Sequence, residues 1–517
     1  MQTQDVLADR HLVITGFTGF VAKVLVGMLL EEVPRIGRIT LLVRPRGRLR
    51  PARRRVEEAL ETSPVFRTLR AQHGAGLAAW LSARIDAIDA DLEQPGCGMS
   101  AEARARLAST DVLVHCAGLT DFAPDPLKAL SANVAGAANA ATLAEELGVP
   151  LVHVSTCYVA GNVGTAEVPE TLTPGRAPSG APLQVGAETR ALQLACRRAA
   201  SVEERINIGT ARAQALGFPN IYTYTKSLAE HLLAQRTELD CTIVRPSIVE
   251  CARQRPFPGW NEGLNTAGPL AWLISTPFRR LPTVPEHTFD VVPVDDVACG
   301  LAAITAAALT GRAGGVFQLA SSDHNPFTFD RAVELTGLGM RRWTRRAGRP
   351  IDRGLLAHLD PIPVALDAQG PFEVRRLGRL ARHLGRALRA DQRADWVPSG
   401  VERALGPTLD RVGTAIDDVR GSLDRVEQML ELFQPFIHDN DWTFHTVRAR
   451  ELTAHEEVFR FDLSDLSWRD YWVDVEYPGL RTWCIPILEG ERIQGDPPLR
   501  PRLQLGNPPA EVRVASK

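Results

Sequence analysis

A chain of 517 residues, 44% apolar and 23% charged, has the composition of a soluble globular protein long enough for two or three domains. Its net charge of −2 gives no general attraction to nucleic acid, and no such partner is expected. Eight cysteines, at 97, 116, 157, 196, 241, 251, 299 and 484, include no Cys-x-x-Cys pair, which argues against a zinc site or disulfide frame and fits reduced thiols in a cytoplasmic protein.

In chain order, residues 11–23, HLVITGFTGFVAK, come first. A short apolar run breaks at Thr15-Gly16, turns through Gly19 and continues at helical spacing over 20–30. Strand, glycine turn and helix bring free backbone N–H groups and the positive end of a helix dipole to one point, which suits a pyrophosphate. Ala22 stands where a third glycine is usual and is small enough for close packing. With Lys23 and the turn glycines inside it, the stretch reads as neither signal peptide nor membrane span.

Residues 38–44, RITLLVR, form a second strand ending in Arg44, with Arg46 and Arg48 beyond. That end meets the adenosine ribose in such folds, and a guanidinium there favours a 2′-phosphate, so the pattern prefers NADPH. After a helical stretch over 51–83, a third strand (84–92) ends near Asp91, an acceptor for the adenine amino group. A fourth (111–118) contains His115, to which no catalytic role is given. Asn133 falls on the next helix, and a fifth strand (151–156) ends in Ser155 and Thr156. Strands alternating with helices at this spacing imply an α/β chain with a Rossmann-type, doubly wound parallel sheet.

The strongest chemical signal is Tyr222-x-x-x-Lys226, whose spacing puts a phenol and an ammonium on one helical face. An unperturbed phenol, with a pKa near ~10, is a poor proton shuttle at neutral pH, and an adjacent cation brings it toward the working range. Lys226 can also hold the nicotinamide ribose.

The chain resembles the fatty acyl-CoA reductases, extended short-chain dehydrogenases/reductases related to the thioester reductase domains of carboxylic acid reductases and peptide synthetases. The resemblance rests on ITGFTGFVAK (14–23), LLVRP (41–45), HVSTCYV (153–159), PNIYTYTKSLAE (219–230), IVRPSIV (243–249), PFPGW (256–260) and DVVPVDDVA (290–298). It implies that Thr15, Gly16, Thr18, Gly19 and Phe20 bind the cofactor, with Arg44 on the 2′-phosphate and Asp91 on the adenine. It further implies Thr156 as catalytic hydroxyl, Tyr222 as acid/base with Lys226 its partner, and Pro246 and Ser247 beside the nicotinamide. The implied substrate is a long-chain acyl-CoA. Cys157 lacks a partner base, so no cysteine acyl-enzyme is expected.

Between Thr156 and Tyr222 lies a long insertion with a Pro/Gly-rich part over 169–186, read as lid, substrate wall or disordered loop. Residues 256–282 fit either the mouth of an acyl channel or the core of a small cap. Over 341–390, twelve arginines face four acids. The apolar stripe Val374, Leu377, Ala381, Leu384, Leu388 fits a helix resting on an anionic membrane surface as well as a packed peripheral helix. Apolar positions from 405 to 433 alternate at four and three, a seam for a helical partner within the chain or in a second copy. The segment FRFDLSDLSWRDYW, 459–472, resembles the C-terminal domain of the same reductases.

The resulting division is 1–335 for the NADP-binding domain, 336–440 for a helical region, 441–490 for the C-terminal domain and 491–517 for a loose Pro-rich tail. The expected activity is NADPH-dependent reduction of long-chain acyl-CoA to alcohol through a bound aldehyde. The alternatives are two-electron reduction of an acyl-CoA or carrier-protein thioester to the aldehyde, an NAD(P)-dependent epimerase or isomerase, and a catalytically silent NADP-binding membrane adaptor.

Overall fold

The computed structural model describes residues 2–47, 49–263, 267–275, 280–347, 362–364, 433–490 and 503–506. Arg48, the arginine-rich stripe over 374–389, the seam over 405–432 and most of the tail lie outside these. Among the described residues, no helix is long and apolar enough to cross a membrane.

The chain divides into two compact units. The first comprises Met1–Gly268, Thr288–Thr328 and Asp441–Lys517, and the second Pro269–His287 and Phe329–Asn440.

Five of the seven strands in the main sheet of the first unit fall where the apolar runs predict: β1 (His11–Thr15), β2 (Arg38–Val43), β3 (Ile85–Asp89), β4 (Val112–His115) and β5 (Leu151–Val154). After β6 (Thr165–Val168), β7 (Cys241–Pro246) and β8 (Ile248–Glu250) complete the first stretch. In the second unit, β9 (Arg280–Pro282) pairs in parallel with β12 (Ile362–Val364). β10 (Val291–Pro293), β11 (Gly315–Leu319) and β13 (Asp441–Phe444) belong to the first unit.

The sheet runs β11-β7-β5-β4-β1-β2-β3, with every pairing parallel. The order reverses between β1 and β4, and a doubly wound sheet opens its ligand crevice at that switch point. Parallel strands are covered on both faces, and β1 is buried throughout. The helix Phe20–Glu32, buried continuously from Ala22 to Leu30, packs against the almost wholly buried helix Val294–Leu309.

The insertion before Tyr222 is folded. It contains β6 and the helices Val185–Arg198 and Val202–Ala215. Arg212 holds Glu188 through two bonds of 2.6 Å, and Tyr224 donates to the same carboxylate at 2.5 Å, tying both helices to the one that carries Tyr222.

The C-terminal segment joins the first unit through parallel pairing of β13 with β6. Its Trp468 and Trp472 pack on Phe327, with centroids 4.6 and 4.8 Å apart. The tail departs from the expected loose end at residues 503–506. Leu503 and Leu505 are buried, Leu505 N–H donates to Glu57 at 2.9 Å and Arg53 donates to the Gly506 carbonyl at 2.7 Å. Alternate leucines gave this piece something to bury, which the surrounding prolines obscured.

Candidate active site

The β1 turn is built by opposed demands. Phe17 points inward, fully buried against Phe66, while Thr18 and Gly19 face outward. Gly16 adopts φ +78°, and a Cβ there would lie 2.7 Å from the Ala117 nitrogen in the loop after β4, so only glycine lets the two loops meet. The helix Phe20–Glu32 starts at Gly19 with no side-chain cap, leaving its first-turn N–H groups to a ligand. Thr15 serves a structural purpose: its hydroxyl accepts from Ala117 N–H at 3.1 Å and pairs with His115 Nδ1 at 2.9 Å. This cradle fits a dinucleotide pyrophosphate, which Gly16, Thr18, Gly19 and Phe20 could hold.

At the end of β2, Arg44 is exposed and ion-paired with Glu93 at 2.5 Å. Arg55, which donates to the Arg44 carbonyl, is held below the usual guanidinium range by burial and by the nearby Arg46, Arg44 and Arg50. Such a crowd of cations is relieved by a phosphate. Asp91 Oδ1 accepts from Glu93 N–H at 3.2 Å, an Asx turn that closes the end of β3.

Beyond β5, Thr156 begins the short turn Cys157–Ala160, its hydroxyl accepting from Tyr158 N–H at 3.4 Å. Tyr222 occupies the first turn of the helix Ile221–Ala234, capped by Asn220, whose side chain accepts from Thr223 N–H at 2.9 Å. The structure brings the Thr156 hydroxyl near enough to the Tyr222 phenol to lower its pKa. Phe122 stacks on the Tyr222 ring with a 6.1 Å centroid separation.

Lys226, one turn on and 4% exposed, donates to the Val154 carbonyl at 2.6 Å. Burial lowers its pKa to about 8, opposed by Glu230 and Cys116. Burial raises Tyr222 to about 12, the nearby Thr156 hydroxyl works against the rise, and Cys157 adds to it. Sequence spacing assigns the lowering of the phenol to Lys226. The group that lowers it here is Thr156, because the Lys226 ammonium is turned onto the Val154 carbonyl.

Pro246 ends β7, and Ser247 donates its N–H to Leu319 at 2.9 Å. Cys157 is fully buried, with its thiol donating to the Arg245 carbonyl at 2.9 Å and burial holding it protonated, an arrangement without nucleophilic character.

Sequence spacing did not reveal what Asn133 does. It lies in the π-helical turn Leu130–Ala135, accepts from Leu119 N–H at 2.7 Å and donates to Leu119 O and Thr225 Oγ1 at 3.0 and 2.9 Å. It thereby fixes the loop after β4 to the Tyr222 helix. No local pattern marks it.

This fold and hydroxyl-phenol-lysine set define an extended short-chain dehydrogenase/reductase with a nicotinamide cofactor. The model of the male sterility protein family, an NAD-binding domain, matches residues 14–301, more than half the chain, and the chain belongs to that family. It is 26% identical to a probable fatty acyl-CoA reductase 4 of Arabidopsis thaliana over 93% of this chain and 98% of that protein. To an alcohol-forming fatty acyl-CoA reductase of Simmondsia chinensis it is 23% identical, over 92% and 97%. Among solved structures, the terminal R domain of the myxalamid pathway shares its fold with a TM-score of 0.54 at 17% identity, over 93% of this chain and 92% of that one. The reductase domain of a Mycobacterium tuberculosis peptide synthetase does so with a TM-score of 0.52 at 17%, over 94% and 95%.

Proposed function

We propose that this protein is an NADPH-dependent fatty acyl-CoA reductase that converts a long-chain acyl-CoA to the alcohol through a bound aldehyde. The observation that carries the reading is the nearness of the Thr156 hydroxyl and the Tyr222 phenol beside a buried Lys226, on a chain that aligns along almost its whole length with named acyl-CoA reductases.

The two hydroxyls take the acyl carbonyl oxygen between them, and their O–H groups stabilise the negative charge that develops there. The nicotinamide cofactor, when bound, supplies hydride. Tyr222 delivers the proton, its phenol being fully protonated at neutral pH. Lys226 holds the ribose and recharges the phenol. Collapse of the tetrahedral hemithioacetal expels the CoA thiol and leaves the aldehyde, and the same hydroxyl pair then serves the second reduction. Arg44 and its arginine neighbours hold the 2′-phosphate and Asp91 the adenine.

The deciding experiment supplies purified protein with palmitoyl-CoA and NADPH and reads cofactor consumed, CoA released and organic product. Two NADPH per CoA with hexadecanol supports the alcohol-forming reading. One NADPH with free aldehyde makes it a two-electron reductase, and no turnover removes the substrate assignment.

A further inference from the structure

Behind the site lies an ion pair that the mechanism above does not use. Glu230 and Arg245 are 0% and 3% exposed and meet side by side, Nε to Oε1 at 2.9 Å and Nη2 to Oε2 at 2.5 Å. Arg245 also donates to the Thr171 carbonyl at 3.0 Å, at the start of the Pro/Gly-rich part of the insertion. Its own carbonyl accepts from Cys157, the neighbour of Thr156, and the next residue is Pro246. A single pair therefore touches the turn after β5, the insertion, the end of β7 and the Tyr222 helix.

Stability alone is a poor reason to bury two charges. An apolar pair of the same volume generally serves as well, because desolvation consumes most of the Coulombic gain. The charge has a third party within reach. Glu230 follows Lys226 by four residues and so lies on the same helical face, one turn on.

The other titratable groups about Lys226 are His115 on β4, Cys116 in the loop after it and His153 on β5. Burial holds His115 down at about 3 and His153 well below its usual range, and holds Cys116 up at about 12. All three are neutral at working pH. Glu230, whose carboxylate is ion-paired with Arg245, is the largest effect opposing the loss of the Lys226 proton.

We propose that Glu230, locked in place by Arg245, is a positioning residue that keeps the Lys226 ammonium charged beside the Thr156–Tyr222 hydroxyl pair. The proposal rests on the reading of Lys226 as part of the reductase site, but its test does not depend on turnover. The chain has only four lysines, at 23, 128, 226 and 517. Lysine labelled with 13C at Cε therefore gives a spectrum simple enough for each titration to be followed, with Lys226 assigned by its loss in Lys226→Met.

In Glu230→Gln the Lys226 midpoint falls by about 1 pH unit, the size of effect expected on removing one buried counter-charge. Glu230→Asp, which keeps the charge, restores most of the shift. The paired variant Glu230→Leu with Arg245→Met leaves no buried charge unpartnered, so it folds even if the single change does not, and its midpoint falls as well. A midpoint unchanged from wild type in Glu230→Gln, or in the paired variant, overturns the proposal. A midpoint that falls in a protein without acyl-CoA turnover keeps the hold of Glu230 on Lys226 and defeats the reductase reading instead.

Discussion

Tyr158 meets Trp442 edge-on, with ring centroids 5.1 Å apart and planes at 85°, while Phe444 takes a second edge at 5.3 Å and 82°. Trp442 Nε1 donates to the Gly161 carbonyl at 3.0 Å. The turn that starts at Thr156 is thus held at both ends by a strand far along the chain.

Removing that support disturbs the site before it unfolds the protein. Trp442→Ala is expected to cost about 3–5 kcal/mol, the usual range for deleting a buried aromatic side chain. Where the protein stays folded, kcat falls more than the KM for NADPH, because Thr156 moves while the β1 turn does not. Trp442→Phe keeps an aromatic ring at the site, loses the hydrogen bond to Gly161 and costs about 1–2 kcal/mol. Urea denaturation and steady-state kinetics on both variants check this, and an unchanged kcat in a folded Trp442→Ala protein contradicts it.

Tyr222→Phe keeps the ring against Phe122 and removes the proton. Loss of a positioned proton donor lowers kcat/KM by roughly 10²–10⁴-fold. Thr156→Val removes the other hydroxyl and is expected to cost about 10²-fold, the size of losing one oxyanion donor. NADPH binding, followed by fluorescence quenching, stays within about twofold in both, since neither residue belongs to the pyrophosphate cradle. A large loss of NADPH affinity with normal kcat would reassign these hydroxyls to the cofactor.

The sheet and the three catalytic candidates were legible because each is written locally. Apolar runs mark β1 to β5, glycines mark the β1 turn, and a four-residue spacing marks Tyr222 and Lys226. Asn133, Trp442 and the Glu230–Arg245 pair were not legible, because their meaning lies in partners 14 to 281 positions away or across two elements. The origin of the Tyr222 shift was misassigned for the same reason: spacing shows which side chains share a face, but not that the Val154 carbonyl claims the ammonium.

His115 gives the protein an acid-sensitive core. Its pKa falls from 6.5 to about 3 through burial, with Lys226 adding to the shift. Between those values the unfolded chain binds a proton that the folded chain refuses, so stability is full above pH 6.5 and is lost as pH falls toward 3. At pH 5 the loss from this residue is about 2 kcal/mol. Urea unfolding of the wild type and His115→Asn at pH 7.5 and pH 5 measures it. The variant is less stable at neutral pH, because it loses the bond to Thr15, and shows a pH dependence smaller by about that amount. Equal slopes would mean that His115 is protonated in the folded protein.

The proposed preference for NADPH over NADH rests on Arg44. Its guanidinium is exposed at the end of β2 with Glu93 as its present partner, and Arg46, Arg50 and Arg55 crowd the same end. A 2′-phosphate bound there would bring close to two negative charges into that crowd, replace the single carboxylate on Arg44 and relieve the repulsion on Arg55. An NADH ribose offers only a hydroxyl and gains nothing comparable. Arg44→Ala is therefore expected to raise the KM for NADPH by about 10–100-fold, the worth of one charge-assisted phosphate contact, while the KM for NADH changes by less than about threefold. Glu93→Gln frees Arg44 from its competitor and lowers the NADPH KM. Equal effects of Arg44→Ala on both cofactors would place the arginine against the ribose or adenine they share, and the preference for NADPH would then rest with Arg55 and its neighbours.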